Sequence, residues 1–326
     1  MDALRQMSVT QQIGLLFVLL LGVLALATAA AVLRSLRESA PGDAERGRAA
    51  RRELRALWAG AALFWGAWVS GPLGATLLFG GVSFLALREF ITLMHTRRSD
   101  HRSLLLAFFA VLPLQYALVA TRHFDLFTVF IPVYIFLAIP VVSALAGDPE
   151  RFLERNAKIQ WGIMVCIYGL SHTPALLLLQ FPHYEGRGAF LLLFLVVVVA
   201  TAHFAQQALA LRLRRRPVAR RIDRSFGLRA WGLGTLAAGA VGGLLYWITP
   251  FQAGQALALA LALIASACGT LGEFVMQALK RDAGVRAWGN RVAVTGAVGL
   301  LDRVAALCFA APVFFHSVRW YFHAGV

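Results

Sequence analysis

Charge is scarce in this chain. Only 14% of its 326 residues are Asp, Glu, Lys or Arg, against about a quarter in a soluble domain. Acid is scarcer than base, with 16 carboxylates facing 31 Lys and Arg, so the net charge is +15. The first shortage excludes a water-soluble globular protein. Cysteine is scarce too: Cys166, Cys268 and Cys308 stand singly in apolar runs, with no metal or redox spacing, and read as packed thiols. What fills the chain instead is hydrocarbon, 59% hydrophobic residues with a mean hydropathy of +0.69. The excess base could suggest a nucleic-acid partner. The arginines, however, crowd into short segments between apolar runs, which is the orientation signal of membrane proteins. Anionic lipid headgroups are the partner this pattern predicts, and no nucleic acid.

The chain therefore reads as all-α, a polytopic integral membrane helical bundle of about ten transmembrane helices. Its runs are Ile13–Leu33, Leu57–Ser70, Leu73–Met94, Ser103–Ala120, Phe124–Leu145, Lys158–Phe181, Ala189–Leu211, Leu228–Thr249, Ala253–Leu279 and Val292–His316. About 20 apolar residues cross ~30 Å of hydrocarbon, and the length of the first run favours a retained span over a cleaved signal peptide. Residues 1–56 are expected to form an N-terminal helix and a basic cytoplasmic loop, in part helical along the interface, with seven arginines between Arg34 and Ala56. Residues 57–326 are expected to form the main membrane domain. Pro132 and Pro140 predict kinks, since each proline leaves a helix carbonyl without its donor. The basic loops alternate with nearly neutral turns at Gly71, Arg122, Pro182 and Pro250. By the positive-inside rule this puts the basic loops in the cytoplasm and both termini outside.

One stretch breaks the apolar pattern, Gly272 to His316. Glu273, Gln277 and Lys280 recur at i, i+4 and i+7, one face of a helix. Lys280, Arg281, Asp282, Arg286 and Arg291 crowd what reads as a loop, and Asp302 and Arg303 follow inside an apolar run. Charges at that depth mark a protein interior or a watery cavity, hence a site. A Glu273–Lys280 pair across two helical turns is the plain structural alternative. Elsewhere Arg88 and Glu89 read as a local ion pair, His172 as a helix-end hydrogen-bond partner, and His203 as a polar residue bonded to Thr201, Gln207 or another helix. The Arg212–Arg224 run, with Arg215 and Arg216, reads first as a loop that sets topology and second as a phosphate site.

Gly272, Lys280, Arg281, Gly284, Gly289, Gly299, Asp302 and Arg303 follow a spacing that resembles the signature of the phosphatidate cytidylyltransferase (CDP-diacylglycerol synthase) family. The segments SFLALREF, GDPERFL, WGIMVCIYGLSH and FAAPVFFH look like family segments too, so the resemblance covers Leu57 to Tyr321. It is eroded at several points. Glu273 stands for an aspartate, Arg286 for a lysine and Ala287 for an acid. Thr295 to Gly299 replaces the P-G-H-G-G segment, and Ala305 the closing aspartate. In a second family region His203 stands for an aspartate and Gln207 for a tyrosine.

The resemblance implies a bacterial inner-membrane protein of phospholipid metabolism with its site facing the cytoplasm. The family's reaction joins phosphatidate to CTP and releases pyrophosphate, so cations must offset phosphate charge. It implies Lys280, Arg281 and Arg303 as the catalytic cations, Arg286, Arg215 and Arg216 as substrate-binding groups, and Glu273 and Asp302 as holders of Mg²⁺. The missing acids favour a degenerate member that keeps an anionic-lipid or phosphate-binding cavity and makes little or no CDP-diacylglycerol. The competing expectation is an active CTP-dependent enzyme making CDP-diacylglycerol or a related CDP-lipid, and the third is a lipid transporter or scaffold. A homodimer or a partner lipid enzyme fits the degenerate case.

Overall fold

The computed structural model describes residues 8–36, 43–94, 96–181, 188–213, 218–223, 226–251, 254–285 and 299–324. Among the described residues there are ten long helices and no strand. They are α1 (Val9–Leu36), α2 (Asp43–Val69), α3 (Gly71–Thr92), α4 (Arg98–Ala120), α5 (Phe124–Ala144), α6 (Phe152–Leu178), α7 (Gly188–Leu213), α8 (Leu228–Leu244), α9 (Gln255–Asp282) and α10 (Leu300–Ala324). Seven of them, α3 to α7, α9 and α10, are long and apolar enough to cross a membrane. The other three spans expected from the sequence fall on α1, on the apolar half of α2 and on α8. Helices are what hydrocarbon permits here, because each satisfies its own backbone where no water can.

Contacts divide the chain into two compact units, residues 1–71 and 72–326. In the first, α1 and α2 form an antiparallel hairpin. Trp58 Nε1 donates to Thr28 Oγ1 at 3.1 Å, and Phe17 meets Trp65 edge to face at 4.8 Å. The basic segment expected as a partly helical loop before Ala56 is helix from Asp43, continuous with the apolar run. Its residues are mainly Ala, Arg, Glu and Leu, strong helix formers.

In the second unit α6, α7, α9 and α10 supply most of the core, with α8 packed on α7 and α9. Three π-helical turns interrupt the spans: Ala107–Val111 in α4, Phe130–Ile135 in α5 and Ile163–Gly169 in α6. In α4 and α5 they sit at Pro113 and Pro132, where a missing N–H forces the hydrogen-bond ladder to shift. In α6 the widened turn exposes the Cys166 carbonyl, which accepts the Ser83 hydroxyl of α3 at 2.7 Å. Tyr116 of α4 joins the same hydroxyl at 2.5 Å, so one buried polar knot ties three helices.

A second knot lies where α3 to α6 end or begin. Arg155, 6% exposed, bonds Asp148 and pairs with Asp100, while Arg97 grips Glu150 through two bonds of 2.6 Å. Asp148 accepts from Ser99 Oγ, the Glu150 backbone N–H and Arg155, which hold its carboxyl down at about 2.

Candidate functional site

The ends of α9 and α10 meet at the polar stretch singled out in the sequence. α9 does not stop before Lys280; it carries Lys280, Arg281 and Asp282 in its last turn, which corrects their placement in a loop. The helix is closed by Gly284 at φ +69. The Val285 N–H reaches the Lys280 carbonyl at 2.9 Å and the Gly284 N–H the Arg281 carbonyl at 3.1 Å, a Schellman closure that needs a left-handed residue. Gly284 of the signature is thus a helix terminator. Gly272 has a packing role: a Cβ there would lie 2.2 Å from the Phe309 ring of α10, so the two helices approach closely only because the side chain is absent.

That approach brings Lys280 to Asp302. The lysine is buried, with 5% of its side chain exposed, and its Nζ donates to Asp302 Oδ1 at 2.5 Å. Asp302 lies in the first turn of α10. The free N–H groups of that turn are met from α3: Glu89, 3% exposed, accepts the Leu300 N–H at 3.1 Å and the Leu301 N–H at 2.9 Å. A carboxylate there satisfies two orphan donors and opposes the helix dipole at once. Glu89 was the residue that sequence reasoning undervalued. The signal was present, an acid inside an apolar run near a span end, but only the fold shows that it caps the helix bearing Asp302.

Glu273 sits two turns before Lys280 on α9, about 10 Å along the axis, and bonds elsewhere. Its Oε2 is 2.8 Å from His203 Nδ1 of α7, and the Gln207 amide lies 2.8 Å from His203 Nε2. The amide donates, so the ring proton sits on Nδ1 and is shared with Glu273. His203 therefore bonds both Gln207 and another helix, two of the options read from sequence. Thr201 bonds the Val197 carbonyl instead. The Glu273–Lys280 pair weighed as an alternative is not formed: each takes a partner on a different helix.

Arg281 donates from Nε to the Ile222 carbonyl at 3.2 Å, and Phe226 stacks on Phe274 at 4.3 Å. Together they lay the described part of the basic loop, with Arg220 and Arg221 exposed, along the end of α9. Arg303 is exposed beside Asp302. Arg286, Arg215 and Arg216 lie outside the described residues.

The donor set bears on Mg²⁺, which takes near-octahedral oxygen ligands and usually keeps several waters. Asp302 holds an ammonium, Glu273 an imidazole N–H and Glu89 two backbone N–H groups. Among the described residues no three His, Cys, Asp or Glu side chains gather as a metal site. The described residues do not fit a resident Mg²⁺ ion. What they do form is a charged helix junction in which Glu89, Glu273 and Asp302 each accept from the protein's own donors.

Two comparisons bear on this geometry. The sequence model of the cytidylyltransferase family matches residues 50–321. The chain is also 36% identical over 267 residues to the uncharacterized protein YnbB of Escherichia coli (strain K12), covering 81% of this chain and 85% of that one.

Proposed function

Since the chain belongs to the cytidylyltransferase family, we propose that it is a family member that binds an anionic phospholipid such as phosphatidate and makes little or no CDP-lipid. The observation that carries the reading is that both carboxylates are already engaged, Asp302 by the Lys280 ammonium at 2.5 Å and Glu273 by the His203 Nδ1–H at 2.8 Å. Both carboxylates that the signature assigns to the metal are engaged by basic side chains. Beside them the exposed Arg303, Arg220 and Arg221 present a guanidinium-bearing surface. Such a surface attracts a phosphate headgroup, and guanidinium is the side chain best shaped to hold it.

Nucleotide transfer asks for more. Charge on the triphosphate and on departing pyrophosphate has to be offset at fixed positions, and a cluster of arginines at a helix junction meets the need for attraction without the need for placement. By the positive-inside rule the arginine-rich helix ends lie on the cytoplasmic side of the membrane.

Purified protein given radiolabelled CTP, phosphatidate and Mg²⁺ is expected to release no labelled CDP-lipid above the Asp302→Ala and Glu273→Ala controls. It should still bind phosphatidate in preference to phosphatidylcholine. Turnover at ordinary enzymatic rates that disappears in Asp302→Ala would overturn the reading and restore an active cytidylyltransferase.

A further inference from the structure

The start of α4 carries a feature independent of the α9–α10 junction. Acids and bases are matched at that end of the bundle, with one exception. Asp100 and Asp148 pair with the buried Arg155, and Glu150 with Arg97. Glu154 is shared by Arg151 and Lys158. Arg98 and Arg102 are exposed, and among the described residues neither guanidinium has an ion-pair or hydrogen-bond partner.

The two arginines head a stripe that turns apolar. They lie one turn apart, about 6 Å along the axis, and Leu105 and Phe109 continue the same face of the helix. Leu105 is 57% and Phe109 71% exposed, although both belong to a span of mean hydropathy 2.0. On the opposite face Ser103 Oγ bonds Ser143 Oγ of α5 at 2.8 Å, and Ala107 and Val111 are buried. That packing holds the stripe outward. Phe108, next to Phe109, meets Phe84 of α3 edge to face at 5.2 Å. The 23 residues of α4 run ~34 Å, close to the ~30 Å of hydrocarbon, so the first turn stands at headgroup depth. Phe109 lies about 10 Å below Arg102, at the depth of acyl chains.

We infer that this outward stripe of α4 binds an anionic glycerophospholipid of the bilayer, its phosphate on Arg98 and Arg102 and one acyl chain along Leu105 and Phe109. Charge and depth together select that occupant. Two guanidiniums without a carboxylate call for an anion, and a phosphate fits their planar fork. An acidic protein segment would meet the arginines but leave the apolar half of the stripe unused. A zwitterionic lipid supplies the chain but brings its own cation, so the arginines discriminate against it. The bilayer, and not a free phosphate compound, is the source, because Leu105 and Phe109 contribute only when a chain covers them.

The test is native mass spectrometry of the full chain, delipidated in detergent and then titrated with phosphatidylglycerol or phosphatidylcholine. The parent is expected to hold phosphatidylglycerol with about tenfold preference, eroded by raised salt and indifferent to excess glycerol 3-phosphate. Arg98→Gln/Arg102→Gln should lose one firmly held phosphatidylglycerol, and Arg98→Lys/Arg102→Lys should keep it. Arg220→Gln/Arg221→Gln/Arg303→Gln, which alters the α9–α10 junction alone, should leave that lipid in place, so failure here and failure of the junction reading are separate results. Because both arginines are exposed, the lipid-free melting midpoint of Arg98→Gln/Arg102→Gln should match the parent's, while phosphatidylglycerol should raise the parent's further. Should that variant melt early, the lysine variant and the salt series on the unaltered protein decide. An unchanged phosphatidylglycerol count in Arg98→Gln/Arg102→Gln would overturn the inference. So would equal retention of the two lipids by the parent, displacement by glycerol 3-phosphate, or loss of the same lipid in the junction variant.

Discussion

Lys280 and Asp302 are each other's solution to burial. An ammonium with 5% of its side chain exposed is costly in a helical interior unless an anion meets it. Replacing Lys280 with Met should lower stability by roughly 2 kcal/mol, less than the ~3–5 kcal/mol of a fully buried pair, because Asp302 keeps solvent contact. Lys280→Met/Asp302→Leu should recover most of that loss, read as the thermal midpoint in detergent. A double variant no better than the single one would show that the two residues are not coupled. Asp148 makes a separate claim in pH. Its carboxyl is held down from an ordinary 3.8 to about 2 by Ser99, the Glu150 N–H and Arg155. A depressed carboxyl stabilises the folded chain above its unfolded value and loses that contribution as pH falls toward the folded one. Between about pH 4 and 2 the parent should therefore lose thermal stability more steeply than Asp148→Asn. Parallel slopes would refute the assignment.

At the scale of elements, α9 and α10 are pressed together where Gly272 faces the Phe309 ring, and that contact sets the distance between Lys280 and Asp302. Gly272→Val adds atoms where a Cβ alone would sit 2.2 Å from ring carbon. The helices must part, at a cost of about 1–3 kcal/mol, and the Lys280–Asp302 bond should weaken with them. Stability of Gly272→Val should consequently respond less to Lys280→Met than the parent does. Full additivity of the two changes would mean that the packing and the ion pair are independent. The same scale explains what the sequence hid. Glu89 is 211 residues from Leu300, and His203 is 70 from Glu273. Nothing local signals either partnership. Spans, by contrast, are local, since twenty apolar residues announce themselves without any partner.

For the molecule as a whole, the arginine-rich helix ends are expected on the cytoplasmic face. With Cys166, Cys268 and Cys308 replaced, Arg220→Cys should react with an impermeant maleimide only from the cytoplasmic side. His123→Cys, in the turn between α4 and α5, should react only from the opposite side. Labelling of both from one side would refute the orientation. Helix number, membrane class and family were readable before any coordinates, from apolar runs and from the spacing that includes Lys280, Arg281, Asp302 and Arg303. The basic start of α2 was legible only as a partly helical loop up to Ala56, because arginine density suggests solvent. Its Ala, Arg and Glu content supports a helix equally well.

Composition and order along the chain alone determined that this is a bundle of about ten helices with a charged stretch near its C-terminal end, because burial in lipid is decided by each segment's own side chains. Which acid meets which base was decided only in three dimensions. The energy of an ion pair depends on distance between atoms that folding brings together from far apart, and here folding gave Asp302 to Lys280, Glu273 to His203 and the first turn of α10 to Glu89.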